Sequence, residues 1–116
     1  MDIEDIKDKI KNKIVALAMV MPNNKPHAIA VEVNKVEHNK IIITDNQMKK
    51  TPGYIKNNPS VSLVFWEGEN GWRIDGQAEY YDSGKWLEFV KSLKENKGLP
   101  AKGAIVVNIN EIKELG

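Results

Sequence analysis

The stretch Ile41–Pro59, IIITDNQMKKTPGYIKNNP, decides how the rest of the chain is organised. Ile41, Ile42 and Ile43 are β-branched and favour a pleated strand. Thr44, Asp45, Asn46 and Gln47 break the apolar run with a polar loop. The chain then restarts as a short helix. Thr51 suits its N-cap, where a hydroxyl accepts an unpaired backbone N–H, and Pro52 suits the first helical position. Lys49 and Lys50 stand just before that cap. A helix start with free N–H groups and two cations attracts anions. The same residues also read as an ordinary capped helix with two solvated lysines.

The surroundings of this stretch define the class. The 116 residues predict one domain over 1–116, with 41% apolar and 28% charged residues, as in soluble globular proteins. A net charge of +1 argues against a general nucleic-acid binder, which needs a basic surface excess. The chain has no cysteine, hence no disulfide framework or thiol chemistry, which fits a cytoplasmic protein. The charged start, MDIEDIKDKIKNK, lacks the apolar run of a signal peptide. No segment reaches the length of a membrane-spanning helix.

Outward from Ile41, sequence patterns predict the other elements. Ile3, Ile6 and Ile10 share one face of a helix over Asp2–Asn12, able to cover one end of a sheet or barrel. Ile14–Met21 is a continuous apolar run that reads as a buried strand. The Pro22–Pro26 cluster is a turn. His27–Val36 alternates as a half-buried strand, and Glu37–Lys40 is a hairpin turn into Ile41. Asn57-Asn58-Pro59 stops the short helix. Val61, Leu63 and Phe65 mark one face of a strand over Ser60–Glu67. Gly68–Gly71 turns into a strand over Trp72–Tyr80, where Gly76 marks a bulge. Trp86, Phe89, Val90 and Leu93 form a helical stripe. Ala104–Ile109 reads as the last strand and Glu111–Leu115 as a terminal turn. Hairpins between short sequential strands predict a mainly β fold: an antiparallel sheet curled into a small barrel of about six strands, with short flanking helices.

Few motifs carry chemistry by themselves. His27 and His38 are the only histidines, and the carboxylates lack metal-ligand spacing, so no metal site is expected. Neither G-x-S-x-G, G-x-G-x-x-G nor a Walker loop is present. Trp66 and Trp72 flank the Gly68–Gly71 hairpin. They read as packing aromatics, or as the lining of a planar-ligand site or dimer interface. Arg73, the only arginine, reads as half of a cross-strand ion pair, or as a ligand contact.

Three segments acquire further meaning in combination: Ile43–Thr51 (ITDNQMKKT), Asn58–Trp66 (NPSVSLVFW) and Trp72–Glu79 (WRIDGQAE). Their order and spacing resemble the flavin-binding split-barrel superfamily typified by pyridoxamine 5'-phosphate oxidase, from about Ile14 to Ile109. In that family a strand ends in threonine or a similar polar residue. A loop, a basic pair and a helix closing on Asn-Pro follow, and a later strand ends in Ile-acidic-Gly.

The resemblance implies a Greek-key split β-barrel that holds FMN non-covalently at a homodimer interface. Lys49 and Lys50 match the basic pair that grips the FMN phosphate, and Thr51 adds a hydroxyl. Thr44, Asp45, Asn46 and Gln47 match the loop that runs along the flavin, partly through backbone. His27 matches the start of the strand under the phosphate, where the oxidase commonly has arginine. Met48 stands where the oxidase often has serine, and Gly71 where it has a flavin-contacting glutamine. The oxidase's C-terminal substrate-binding arginine and histidine have no counterpart before Gly116, so pyridoxamine-phosphate oxidase activity itself is not expected. The implied function is an FMN-dependent oxidoreductase or electron-transfer protein acting on a small-molecule donor or acceptor. The alternatives are a non-catalytic flavin-binding or sensor module, or a relative that binds haem or a deazaflavin.

Overall fold

The computed structural model describes residues 1–115; Gly116, the end of the expected domain, lies outside them. Seven strands form one antiparallel sheet: β1 (Ile14–Val20), β2 (Pro26–Glu32), β3 (Lys35–Glu37), β4 (Lys40–Asp45), β5 (Ser60–Glu67), β6 (Asn70–Tyr81) and β7 (Gly103–Leu115). The helices are α1 (Lys7–Ile10), α2 (Thr51–Asn57) and α3 (Lys85–Ser92).

The strand order is β2-β1-β5-β6-β7-β4-β3, which puts β2 and β3 at opposite edges. Yet only Val33 and Asn34 separate these two strands in sequence. Six inter-strand spacings would span about 29 Å in a flat sheet, whereas such a short link covers roughly 10 Å. The sheet must therefore curl until its edges meet. The result is a split β-barrel, with β4 to β7 in Greek-key order.

The inside of the barrel follows the period-two pattern. Val15, Leu17 and Met19 of β1 point inward with Val61, Leu63 and Phe65 of β5, and Ile41 and Ile43 of β4 join them. The intervening Ile42 points outward, where α3 covers it with Leu87 and Val90 over Ala104 and Val106. The three consecutive isoleucines thus serve two apolar layers. Ile3, Ile6 and Ile10 pack into the barrel core as expected. Their helix is broken, however, into a 3-10 turn (Ile3–Asp5) and α1, with Asp2 and Asp5 forming a capping box on the first turn.

Several expected boundaries move. The predicted His27–Val36 strand ends at Glu32, because the chain crosses there from one sheet edge to the other; β3 is the resulting seventh strand. Ile14–Met21 is not buried on both sides. Ile14 is 64% exposed and Val20 37%. The predicted terminal turn Glu111–Leu115 continues β7 and pairs with Gly71–Asp75. An extra residue, Asn110, shifts the register opposite Asp75 and Gly76, so the buried Ile109 and Ile112 lie three apart and hide the strand period. Gly76 belongs to this bulge as expected: a Cβ there would collide with the Asn108 carbonyl. Arg73 pairs with Asp75 on its own strand at 3.1 Å rather than across strands. Trp72 is buried and stacks on Phe65 at 5.0 Å, whereas Trp66 is 65% exposed.

Candidate cofactor site

The end of β4 builds the site. Asp45 is fully buried, and its carboxylate organises the turn that follows. Oδ1 accepts the Met48 N–H at 2.6 Å, and Oδ2 accepts the Tyr80 hydroxyl at 2.7 Å. Lys102 Nζ lies 3.9 Å from Oδ2 and donates to the Met48 carbonyl at 2.6 Å. Gly103, which pairs with Asp45 across the sheet, leaves room for the Tyr80 ring; a Cβ there would occupy the position of the phenol. Burial, then the Asp45 carboxylate, push the Tyr80 hydroxyl pKa above its usual range. Asn46 Oδ1 accepts the Ala101 N–H at 2.8 Å, fixing the next residue of the loop.

Beside this loop lies a cleft of about 390 Å³ between β2, the Thr44–Met48 segment and the Glu95–Leu99 segment. Such a volume falls within the range of small-molecule sites. Its floor is polar but internally bonded. The Thr44 hydroxyl donates to Asn34 Oδ1 and accepts from Asn96 Nδ2, both at 2.8 Å. The Thr44 N–H also donates to Asn34 Oδ1, at 2.9 Å. Asn34 Nδ2 reaches Glu32 Oε2 and Glu95 Oε2, each at 3.4 Å. Ile29, Met48 and Leu99 supply apolar lining.

The remaining predicted residues form a second group. His27 lies on the same face of β2 as Ile29 and Val31. Its Nε2 is 3.5 Å from Thr51 Oγ1, and its ring meets Tyr54 edge-on at 5.1 Å. Thr51 is buried and is not the N-cap. Lys50 takes that place, because its carbonyl already accepts the Tyr54 N–H at 3.1 Å, and the Thr51 hydroxyl turns to His27 instead. Lys49 and Lys50 are exposed.

The structure thus brings Thr44, Asn46 and Gln47 to the cleft, and His27 to Thr51 beyond it. Lys49 and Lys50 bridge the two groups along the chain. The Asp45 side chain is committed to the fold and does not line the cleft, and its carbonyl accepts the Lys102 N–H at 2.9 Å. Sequence reading missed Glu32, Asn34, Glu95 and Asn96 in the cleft, and Tyr80 behind it. No local pattern marks them, since the Asn34–Glu95 contact joins residues 61 positions apart.

Comparison with known proteins agrees with this architecture. The profile of the pyridoxamine 5'-phosphate oxidase family matches residues 3–116. An uncharacterised protein of Methanocaldococcus jannaschii is 33% identical over 97% of this chain and 79% of its own length. The crystal structure of HupZ from Group A Streptococcus superposes with a TM-score of 0.85 at 24% identity, covering 99% of this chain and 94% of that one. An FMN-binding protein from Syntrophomonas wolfei gives a TM-score of 0.70 at 16% identity, covering 97% and 88%. An F420 reductase gives 0.74 at 18% identity, covering 95% and 94%. The structural likenesses speak for the fold alone. The family profile spans nearly the whole chain and includes the loop and basic pair after β4; the chain belongs to the pyridoxamine 5'-phosphate oxidase family.

Proposed function

We propose that this protein is an FMN-binding flavoprotein that works as a homodimer, as an oxidoreductase or electron carrier for a small molecule in the cytoplasm. The observation that carries the reading is the union of family membership with one continuous segment, Thr44–Lys50, which edges the cleft at Thr44–Met48 and ends in an exposed lysine pair. The residues present fit a flavin phosphate. Lys49 and Lys50 act as point charges, and His27 adds a ring nitrogen beside the Thr51 hydroxyl. Glu32 and Glu95 line the cleft itself, so the phosphate belongs at the lysine end and the ring beside the Thr44–Gln47 loop. Bound flavin supplies the redox chemistry; the protein supplies position, charge and exclusion of water.

The dimer has its own support. The outer face of β1, β2 and β5 carries Ile14, Ala16, Ala28, Ala30 and Trp66 around a shallow hollow of about 460 Å³. An apolar sheet face of this kind calls for a covering partner. Among the described residues no helix is long and apolar enough to cross a membrane.

The visible spectrum of purified protein tests the cofactor. FMN predicts two flavin bands, in the near-ultraviolet and the blue. A deazaflavin, the alternative cofactor, predicts one violet band instead. The absence of both band patterns after incubation with each cofactor would contradict the proposal.

A further inference from the structure

One distant segment grips the loop that leads into the lysine pair. Asn96 Nδ2 donates to the Thr44 hydroxyl at 2.8 Å, the Lys102 N–H to the Asp45 carbonyl at 2.9 Å, and the Ala101 N–H to Asn46 Oδ1 at 2.8 Å. Lys102 Nζ donates to the Met48 carbonyl at 2.6 Å, across 54 positions of sequence. Between Thr44 and Met48, Gln47 takes no such donor, and it is the exposed residue of the five. Ala101 is buried and holds φ at 41°, in the left-handed region that a residue with a Cβ seldom enters. Such a backbone persists where its surroundings over-determine it. Here it presents two successive N–H groups to the loop. Lys102 contributes twice, since its ammonium also stands 3.9 Å from Asp45 Oδ2. Asp45 is fully buried, and among the described residues Lys102 is its one ion-pair partner. The Lys102 side chain is 48% exposed and belongs to neither apolar cluster. It therefore does no packing, yet it touches both ends of the turn: Asp45, where the turn begins, and the Met48 carbonyl, which directs the chain into Lys49.

We propose that Lys102 is a positioning residue for the cofactor loop: acting through the Asp45 carboxylate and the Met48 carbonyl, its ammonium holds Thr44–Met48 in the conformation that edges the cleft. This role rests on the flavin reading for what the loop binds, and on the contacts alone for what holds the loop. Lys102 differs in kind from Lys49 and Lys50, which are assigned to the phosphate directly. It acts on the part of the loop beside the flavin ring, so its effect extends to a flavin without a phosphate.

Amide hydrogen exchange and flavin titration test the role in the full chain. Lys102→Met keeps the stem and removes the ammonium, whereas Lys102→Arg keeps a cationic donor. In Lys102→Met the Met48 amide is expected to exchange about twofold to fivefold faster, the scale for a partly exposed charged contact, while the β4 amides of Ile41–Ile43 keep their wild-type rates. FMN and riboflavin are both expected to bind about twofold to fivefold more weakly to the same variant. Lys102→Arg is expected to recover both readouts. A wild-type exchange rate at Met48, equal acceleration at Ile41–Ile43, an unchanged riboflavin affinity, or no recovery in Lys102→Arg would overturn the assignment. If wild type binds neither flavin, the flavin reading fails, and the exchange comparison still decides whether Lys102 holds the loop.

Discussion

The Tyr80 hydroxyl donates a hydrogen bond to Asp45 Oδ2 at 2.7 Å, joining the end of β6 to the fully buried carboxylate that closes β4. Asp45 in turn accepts the Met48 N–H, so a contact formed behind the cleft sets the conformation of the loop in front of it. Gly103 makes the contact possible by leaving the space that the phenol fills.

Tyr80→Phe removes a donor from a buried carboxylate. Its expected cost is about 1.5–3 kcal/mol, the scale for hydrogen bonds to charged groups, read from urea unfolding. The wild type also carries a pH signature. The folded-state pKa of Tyr80 is raised, by burial first and by Asp45 second. The neutral phenol is therefore favoured in the native state. Its contribution is complete below the unfolded tyrosine pKa of about 10 and declines as pH rises above it. Tyr80→Phe should flatten the alkaline loss of stability that sets in above about pH 10. An unchanged alkaline slope and an unchanged unfolding midpoint would show that the phenol does not support Asp45.

The outer face of β1, β2 and β5 predicts the oligomeric state. Trp66 at 65% exposure and Ile14 at 64% are the most exposed large apolar residues on it. Light scattering should report a dimer at micromolar protein, and Ile14→Glu with Trp66→Glu should shift it to monomer without lowering β content by circular dichroism. A wild type that stays monomeric with flavin present removes the dimer from the account.

Much of this fold was legible because its signals are local. The apolar triplet Ile41–Ile43, the alternation Val61, Leu63, Phe65 and the Gly68 turn each announce their own structure. Gly76 announced its bulge, but the extra residue opposite it, Asn110, turned Ile109 and Ile112 out of a period of two. That concealed the last part of β7. Thr51 misled for a different reason. It has the composition of an N-cap, but His27, brought close by tertiary packing, competes for its hydroxyl. The site was legible where one segment supplies it, at Thr44–Thr51. It was not legible at Asn34, Glu95, Asn96 and Tyr80, each of which has a partner 10 to 61 residues away that it meets only after the sheet curls.

If Lys49 and Lys50 hold a flavin phosphate, a paired titration should show it. FMN and riboflavin, which differ by that phosphate, are titrated into wild type, Lys50→Ala and, as a control past the site, Lys56→Ala. Wild type is expected to prefer FMN, and Lys50→Ala to weaken FMN by about 1.5–3 kcal/mol, roughly tenfold to a hundredfold. Riboflavin binding should be nearly blind to the same change, and Lys56→Ala should alter neither ligand. If Lys50→Ala weakens FMN and riboflavin equally, or leaves both unchanged, the lysine pair does not hold the phosphate.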